Sequence, residues 1–358
     1  MNSEQLATAL GKLYCPCGYQ MYTMSKFEEY DLYLRNRDFL LSDRVLTFTD
    51  TDGRLMALKP DVTLSIIKNT EASTQGIEKV FYRENVYRPG NRGFREIMQI
   101  GLECMGEIDS YCIFEVLQLA IKSLKVISDR CVLDISHMGL LSRMLEQCGF
   151  ADETKQRVLK AISSKNLHEL REICQEAGVC VDALEQLVGI SGSPSVALPQ
   201  LQTLFPDAPE LTHFKQLLDA LEAVGTDCVN VDFSVVNNMS YYNGIVFRGF
   251  VEGVPTGVLS GGQYDGLMEK MKRRGKAIGF ALYPDLLERL FVPNGTKAVD
   301  AVLLYPANTD ISAVAGAMEK LTGQGLKVSA QPGDVCSIRC DRIYRLEGNE
   351  VKCIETNA

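Results

Sequence analysis

The sequence predicts an α+β protein, on three observations. Strand-like alternation recurs up to Ile135, a block rich in helix formers fills about 139–225, and strand patterns then return. A Pro293-Asn294-Gly295 breaker precedes a short segment that alternates strand, helix and strand. Two domains are therefore expected. One spans 1–292 and carries the helical insertion; the other, 296–358, is a small truncated α/β unit.

The elements follow in order. Leu6, Leu10 and Leu13 mark an opening helix. Val45–Thr49 and Leu55–Leu58 flank Asp52-Gly53, a hairpin signal. Lys79–Arg88 and Arg95–Cys104 read as antiparallel partners. Ile113, Val116, Leu117, Ala120, Ile121 and Leu124 keep a helical period, and Cys131–Ile135 is again a strand. Beyond the insertion, strands are expected at Val229–Phe233, Ile245–Phe250 and Gly257–Ser260. The tail is expected to run Val299–Tyr305 (strand), Ile311–Leu321 (helix behind Asp310) and Leu326–Ala330 (strand).

Composition narrows the function. The 358 residues include 37 basic and 46 acidic side chains, a formal charge of −9. A protein built on phosphate contacts normally carries a basic field, so nucleic acid is disfavoured. No apolar run is long enough to span a bilayer, and the N-terminus has no signal-peptide pattern. Twelve cysteines at irregular spacing, mostly in apolar company, read as reduced thiols of a cytoplasmic protein. Three histidines and no C-x-x-C pair argue against a metal site, and no cofactor is expected.

The segment Glu96–Cys104 carries the most chemistry. At period two, Met98, Ile100, Leu102 and Cys104 form an apolar face, and Gln99, Gly101 and Glu103 form the other. A solvated outer face would explain this pattern. The glycine between an amide and a carboxylate favours a ligand lying on the sheet instead. The glycine-rich Gly257–Leu267 is not a Walker loop, because no Gly-Lys-Ser/Thr follows; by itself it reads as a tight turn. Tyr241-Tyr242-Asn243-Gly244 by itself reads as a hairpin turn.

Together, and in this order, these segments resemble the catalytic core of histidyl-tRNA synthetase, a class II aminoacyl-tRNA synthetase, from the N-terminus to about residue 290. Leu58-Lys59-Pro60-Asp61-Val62-Thr63 is similar to that family's L-R-P-E-x-T. Val86-Tyr87-Arg88 with Arg95-Glu96-x-x-Gln99-x-Gly101-x-Glu103 is similar to its motif 2. Ser240–Gly244 is similar to D-Y-Y-T-G, and Gly261–Leu267 to G-G-R-Y-D-G-L. The resemblance implies an antiparallel sheet flanked by helices. It also implies a histidine pocket. Asp61, Thr63 and Gln99 would hold the α-ammonium and Arg88 the carboxylate, while Glu103 and Tyr242, beside Tyr241, would address the imidazole.

The departures concern cations. Asn237 stands where R-G-L-D-Y-Y has arginine, Gln263 where G-G-R-Y-D has arginine, and Leu286 where motif 3, G-x-E-R, has arginine. Pro284 is expected to disturb the helix start there, and Arg289 lies one turn too late. Joining a carboxylate to the α-phosphate of ATP requires these charges, and each lost electrostatic contact typically costs about 3–4 kcal/mol. Aminoacylation is not expected. The tail after Pro293 is also too short for a complete anticodon-binding domain, so tRNA is not an expected partner.

A synthetase core without these cations resembles the regulatory subunits of short-form ATP phosphoribosyltransferase, the first step of histidine biosynthesis; Phe27–Tyr33 and Thr47–Asp50 carry that likeness. The resemblance implies a noncatalytic chain, with no acidic-acidic-x-x-T-G-x-T loop of its own. It implies self-dimerisation, a short catalytic subunit as partner, and feedback by L-histidine. The alternatives are a divergent histidyl-tRNA synthetase and another synthetase-like sensor or modification protein.

Overall fold

The computed structural model describes residues 2–40, 44–70, 76–90, 93–236, 242–287, 290, 299–336, 338–348 and 350–356. Asn237, Tyr241, Arg289 and the Pro293-Asn294-Gly295 breaker lie outside them. The chain divides into two compact units, Met1–Phe291 and Val292–Ala358.

In the first unit, α1 (Ser3–Tyr14) starts at a capping box, with Gln5 N donating to Asn2 Oδ1 at 2.8 Å. β1 (Gln20–Met21) follows, then β2 (Phe27–Glu29), α2 (Tyr30–Arg35), β3 (Thr47–Thr49) and β4 (Leu55–Leu58). β2, β4 and β3 form a small sheet of their own. Its β3–β4 turn is held by Asp50 Oδ1, which accepts from the Asp52 and Arg54 amides, and by Gly53 at φ 81°.

α3 (Val62–Asn69) leads into two long strands, β5 (Ile77–Gly90) and β6 (Gly93–Gly106), and then α4 (Ser110–Ile127) and β7 (Cys131–His137). The insertion is helical as expected. It comprises α5 (Met138–Cys148), α6 (Asp152–Ser163), α7 (Leu167–Glu176), α8 (Asp182–Gly189), α9 (Pro194–Leu204) and α10 (Pro209–Ala223). Between α8 and α9 it contributes a two-residue strand, β8 (Ser191–Gly192), to the edge of the main sheet. β9 (Val229–Asp232), β10 (Ile245–Val251), β11 (Leu259–Gln263), α11 (Asp265–Lys270) and β12 (Lys276–Leu282) complete the unit.

The main sheet runs β1-β5-β6-β12-β11-β10-β7-β9-β8 and is antiparallel except at β1–β5 and β7–β9. Period two divides it. Ile100, Leu102 and Cys104 of β6 join the core built with α1, α4 and the insertion helices. Val80, Tyr82 and Met105 join the core on the opposite face, with α3 and α11. That second face carries the site.

One sequence reading changes. The glycine-rich Gly257–Leu267 is not a tight turn but contains an interior strand, β11, displaced two residues from the expected Gly257–Ser260. Its glycines are required by contact: a Cβ on Gly261 would lie 2.3 Å from the Gly279 carbonyl oxygen. Pro284, expected to disturb the helix start, opens a 3₁₀ turn, Pro284–Leu287.

The second unit is a four-stranded sheet of β13 (Ala301–Tyr305), β14 (Val328–Pro332), β15 (Arg342–Glu347) and β16 (Glu350–Thr356), ordered β14-β13-β15-β16, with α12 (Ile311–Thr322) packed on one face. β15 and β16 were not legible in sequence. Their polar residues alternate without a continuous apolar face, and β16 is largely exposed.

Candidate functional site

A cavity of about 110 Å³ opens on the α3 face of the main sheet. It is lined by Asp61, Thr63, Arg88, Gln99, Glu103 and Tyr242, so six of the seven expected pocket residues meet there; Tyr241 lies outside the described residues. Each arrives by a simple local route. Asp61 is the N-cap of α3, its Oδ1 accepting from Leu64 N at 3.0 Å, and Thr63 sits in the first turn. Arg88 comes from β5, and Gln99 and Glu103 from one face of β6. Tyr242 approaches from the segment before β10.

Glu103 is the floor of this site and is 2% exposed. Its Oε1 accepts from Thr63 Oγ1 at 2.9 Å and its Oε2 from Tyr264 Oη at 2.5 Å. Burial pushes its carboxyl up to about 8; the two hydroxyls oppose this, and Asp61 adds to it. Asp61 is also raised by burial, against the pull of Arg88. Arg88 is the only cation among the described lining residues, and its Nε donates to Pro60 O at 2.9 Å, which orients the guanidinium.

The pocket therefore presents the Asp61 carboxyl, the Arg88 guanidinium and a second, buried carboxyl, Glu103, pushed up to about 8. An amino-acid zwitterion matches the first two, and a weakly basic N-heterocycle matches the third. Among the described residues no group of three or more His, Cys, Asp or Glu side chains could hold a metal ion.

The glycine reading needs correction. Gly101 does not leave a gap for a ligand. A Cβ there would lie 2.5 Å from Tyr82 Oη and 2.3 Å from Phe280 O, so Tyr82 fills that space and its phenol becomes part of the lining. Nor is the Gln99-Gly101-Glu103 face a solvated one, since Gln99 and Glu103 are 3% and 2% exposed.

Sequence reasoning missed Tyr264, Tyr82 and Gly279. Gly279 pairs with Glu103 across β12–β6, and a Cβ on it would sit 1.7 Å from Glu103 Oε2. Only glycine leaves room for the carboxylate. The signal was present for Tyr264, within Gly261–Leu267, and absent for the cross-strand pairs.

The lost-cation positions divide. Asn237 lies outside the described residues. Gln263 is buried, and its Oε1 accepts from Ile245 N at 2.8 Å, bracing the strand rather than lining the cavity. Leu286 is partly exposed on the 3₁₀ turn, while its neighbour Asp285 accepts from Met98 N at 3.1 Å. At this end the structure offers an acid and a leucine where an ATP site needs positive charge.

The chain is similar to several known proteins. An ATP phosphoribosyltransferase regulatory subunit of Oceanobacillus iheyensis is 27% identical over 93% of this chain and 85% of its own length. A histidine–tRNA ligase of Methanosarcina acetivorans is 27% identical over 84% of this chain and 75% of its own. Among solved structures, an ATP phosphoribosyltransferase regulatory subunit/histidyl-tRNA synthetase of Bacillus halodurans superposes with a TM-score of 0.78 at 24% identity, covering 93% of this chain and 90% of that one. A chain of the ATP phosphoribosyltransferase complex of Thermotoga maritima does so at 0.64 and 19%, covering 79% and 97%. The family described as histidyl-tRNA synthetase matches residues 1–287, and the chain belongs to that family, with its class II core fold.

Proposed function

We propose that the chain is a noncatalytic regulatory subunit of a short-form ATP phosphoribosyltransferase and that L-histidine is its effector. One observation carries the reading. A histidine-complementary pocket is assembled around Glu103, while Gln263 and Leu286 supply no cation to an ATP site. The Oceanobacillus iheyensis relative bears the name of such a subunit.

In this reading Asp61, Thr63 and Gln99 take the α-ammonium, and Arg88 takes the carboxylate. Glu103, steadied by Thr63 and Tyr264, takes the imidazole with Tyr242. The chain activates the short catalytic subunit, transmits inhibition by histidine, dimerises, and works in the cytoplasm without tRNA. Among the described residues no helix is long and apolar enough to cross a membrane.

The test is phosphoribosyl transfer by the short catalytic subunit alone, with this chain, and with this chain plus histidine. Activation by the chain and inhibition by histidine only in its presence are expected. A short subunit that is fully active alone, with unchanged histidine sensitivity, contradicts the reading. The family match and the Methanosarcina acetivorans relative favour one other reading, a histidine–tRNA ligase. Histidine-dependent exchange of pyrophosphate into ATP would establish it.

A further inference from the structure

From the end of α11 through the turn to the start of β12, five cations fall in seven positions: Lys270, Lys272, Arg273, Arg274 and Lys276. In a chain of formal charge −9 this concentration is unusual. Among the described residues, Lys272, Arg273, Arg274 and Lys276 make no ion-pair contact within 4 Å, although Glu78 feels the charge of Arg273 and Asp265 that of Lys276. Some exposed arginines elsewhere are paired, as in Arg130–Glu252 and Arg157–Glu176, both at 2.9 Å.

The turn has a defined shape. Lys272 adopts φ 57°, and Gly275, at φ 88°, leaves no room for a Cβ, which would lie 2.4 Å from Gly106 O. Beside it an open cavity is floored by Leu32 and Met271 and rimmed by Glu29, Asp31, Lys68 and Lys272. Cations, an apolar floor and a rim of mixed charge describe a protein-docking surface. A nucleic-acid strand would meet repulsion from the acids at the rim and from the overall charge.

We infer that this turn docks an acidic face of the catalytic partner subunit, an inference that rests on the regulatory reading above. The surface has a physical link to the pocket. Arg273 Nη2 donates to Lys68 O, at the last turn of α3, at 2.8 Å. The first turn of the same helix carries Asp61 and Thr63. Lys270 Nζ also lies 4.9 Å from the ring of Phe39, which lines the pocket. Docking at the turn and binding in the pocket thus act on opposite ends of one short helix.

The experiment measures binding of the short catalytic subunit to wild type, to a double variant (Lys272→Glu with Arg274→Glu) and to Arg273→Ala, with and without histidine and at two salt concentrations. The double variant should bind the partner about tenfold more weakly, with a flatter salt dependence. Its histidine affinity by calorimetry should be unchanged. Arg273→Ala should reduce the effect of histidine on partner affinity, expected to be about fivefold or more in wild type. Unchanged partner affinity in the double variant overturns this inference alone. So does a change confined to self-association, or to binding of a single-stranded oligonucleotide. No binding by wild type overturns the functional reading and this inference with it.

Discussion

Carboxylates buried or half-buried around the main sheet are handled in two ways. Glu84 of β5 faces Lys59, which is fully buried and donates to Glu84 Oε2 at 2.9 Å and to Ser25 O at 3.1 Å. Glu115 of α4 likewise meets Lys79 Nζ at 2.6 Å. Glu103, more deeply buried than Glu84, pairs with no cation among the described residues; it meets two hydroxyls and an open cavity. The first arrangement is complete and holds elements together. The second faces open space, and in the proposed reading an imidazole completes it, which would separate a structural pair from a receptor.

Breaking the complete pair should have the largest effect. Lys59→Ala leaves Glu84 without its charge partner and should cost about 3–5 kcal/mol of stability in urea denaturation. Adding Glu84→Gln should recover much of that loss. A single variant as stable as wild type would remove the contrast.

The incomplete site should respond to pH in the opposite sense from a paired acid. Below about 4.5, the ordinary value for Glu103, both folded and unfolded chains hold the proton. Between there and about 8 the unfolded chain releases it while the folded chain keeps it, so stability falls as pH rises through this window. Relative to Glu103→Gln, wild type should lose stability of the order of a few kcal/mol between pH 4 and pH 9. Parallel stability curves for the two proteins would show that Glu103 is not buried as a neutral acid.

Gly279→Ala places a Cβ where the Glu103 carboxylate lies. It should weaken histidine binding by about 1–3 kcal/mol, with a stability loss besides, because the Leu102 carbonyl is also in the way. Asp61→Asn should do least to the fold. Asparagine caps a helix as well as aspartate does, so stability should shift by under about 0.5 kcal/mol. Histidine affinity should still drop, through loss of the charge facing the ammonium. An Asn variant that binds normally would assign the ammonium to other groups.

Much of this site was legible because its residues lie close together in sequence. Gln99 and Glu103 share one face of one strand, Asp61 and Thr63 one helix start, and the spacing of each pair is set by backbone period. The parts that were not legible are matters of register between distant strands. Tyr82 opposes Gly101 across β5–β6, and Gly279 opposes Glu103 across β12–β6. A glycine in a strand announces a close approach but not its occupant, so Gly101 read as a ligand gap and proved to be the seat of Tyr82. The β11 strand was displaced for a related reason. Two adjacent glycines look like a turn unless the neighbours that need the space are known.

Calorimetric titration of histidine into wild type and Glu103→Gln across pH tests the central claim most directly. A neutral imidazole and a protonated Glu103 bring one proton between them, which the bound pair can share as imidazolium and carboxylate. Wild-type affinity should peak between the ordinary imidazole value near 6.5 and the Glu103 value of about 8. Glu103→Gln should bind about 10–100-fold more weakly and show no peak. Equal affinity in the two proteins, or a wild-type profile flat across this range, would contradict the assignment of Glu103 as the imidazole receptor.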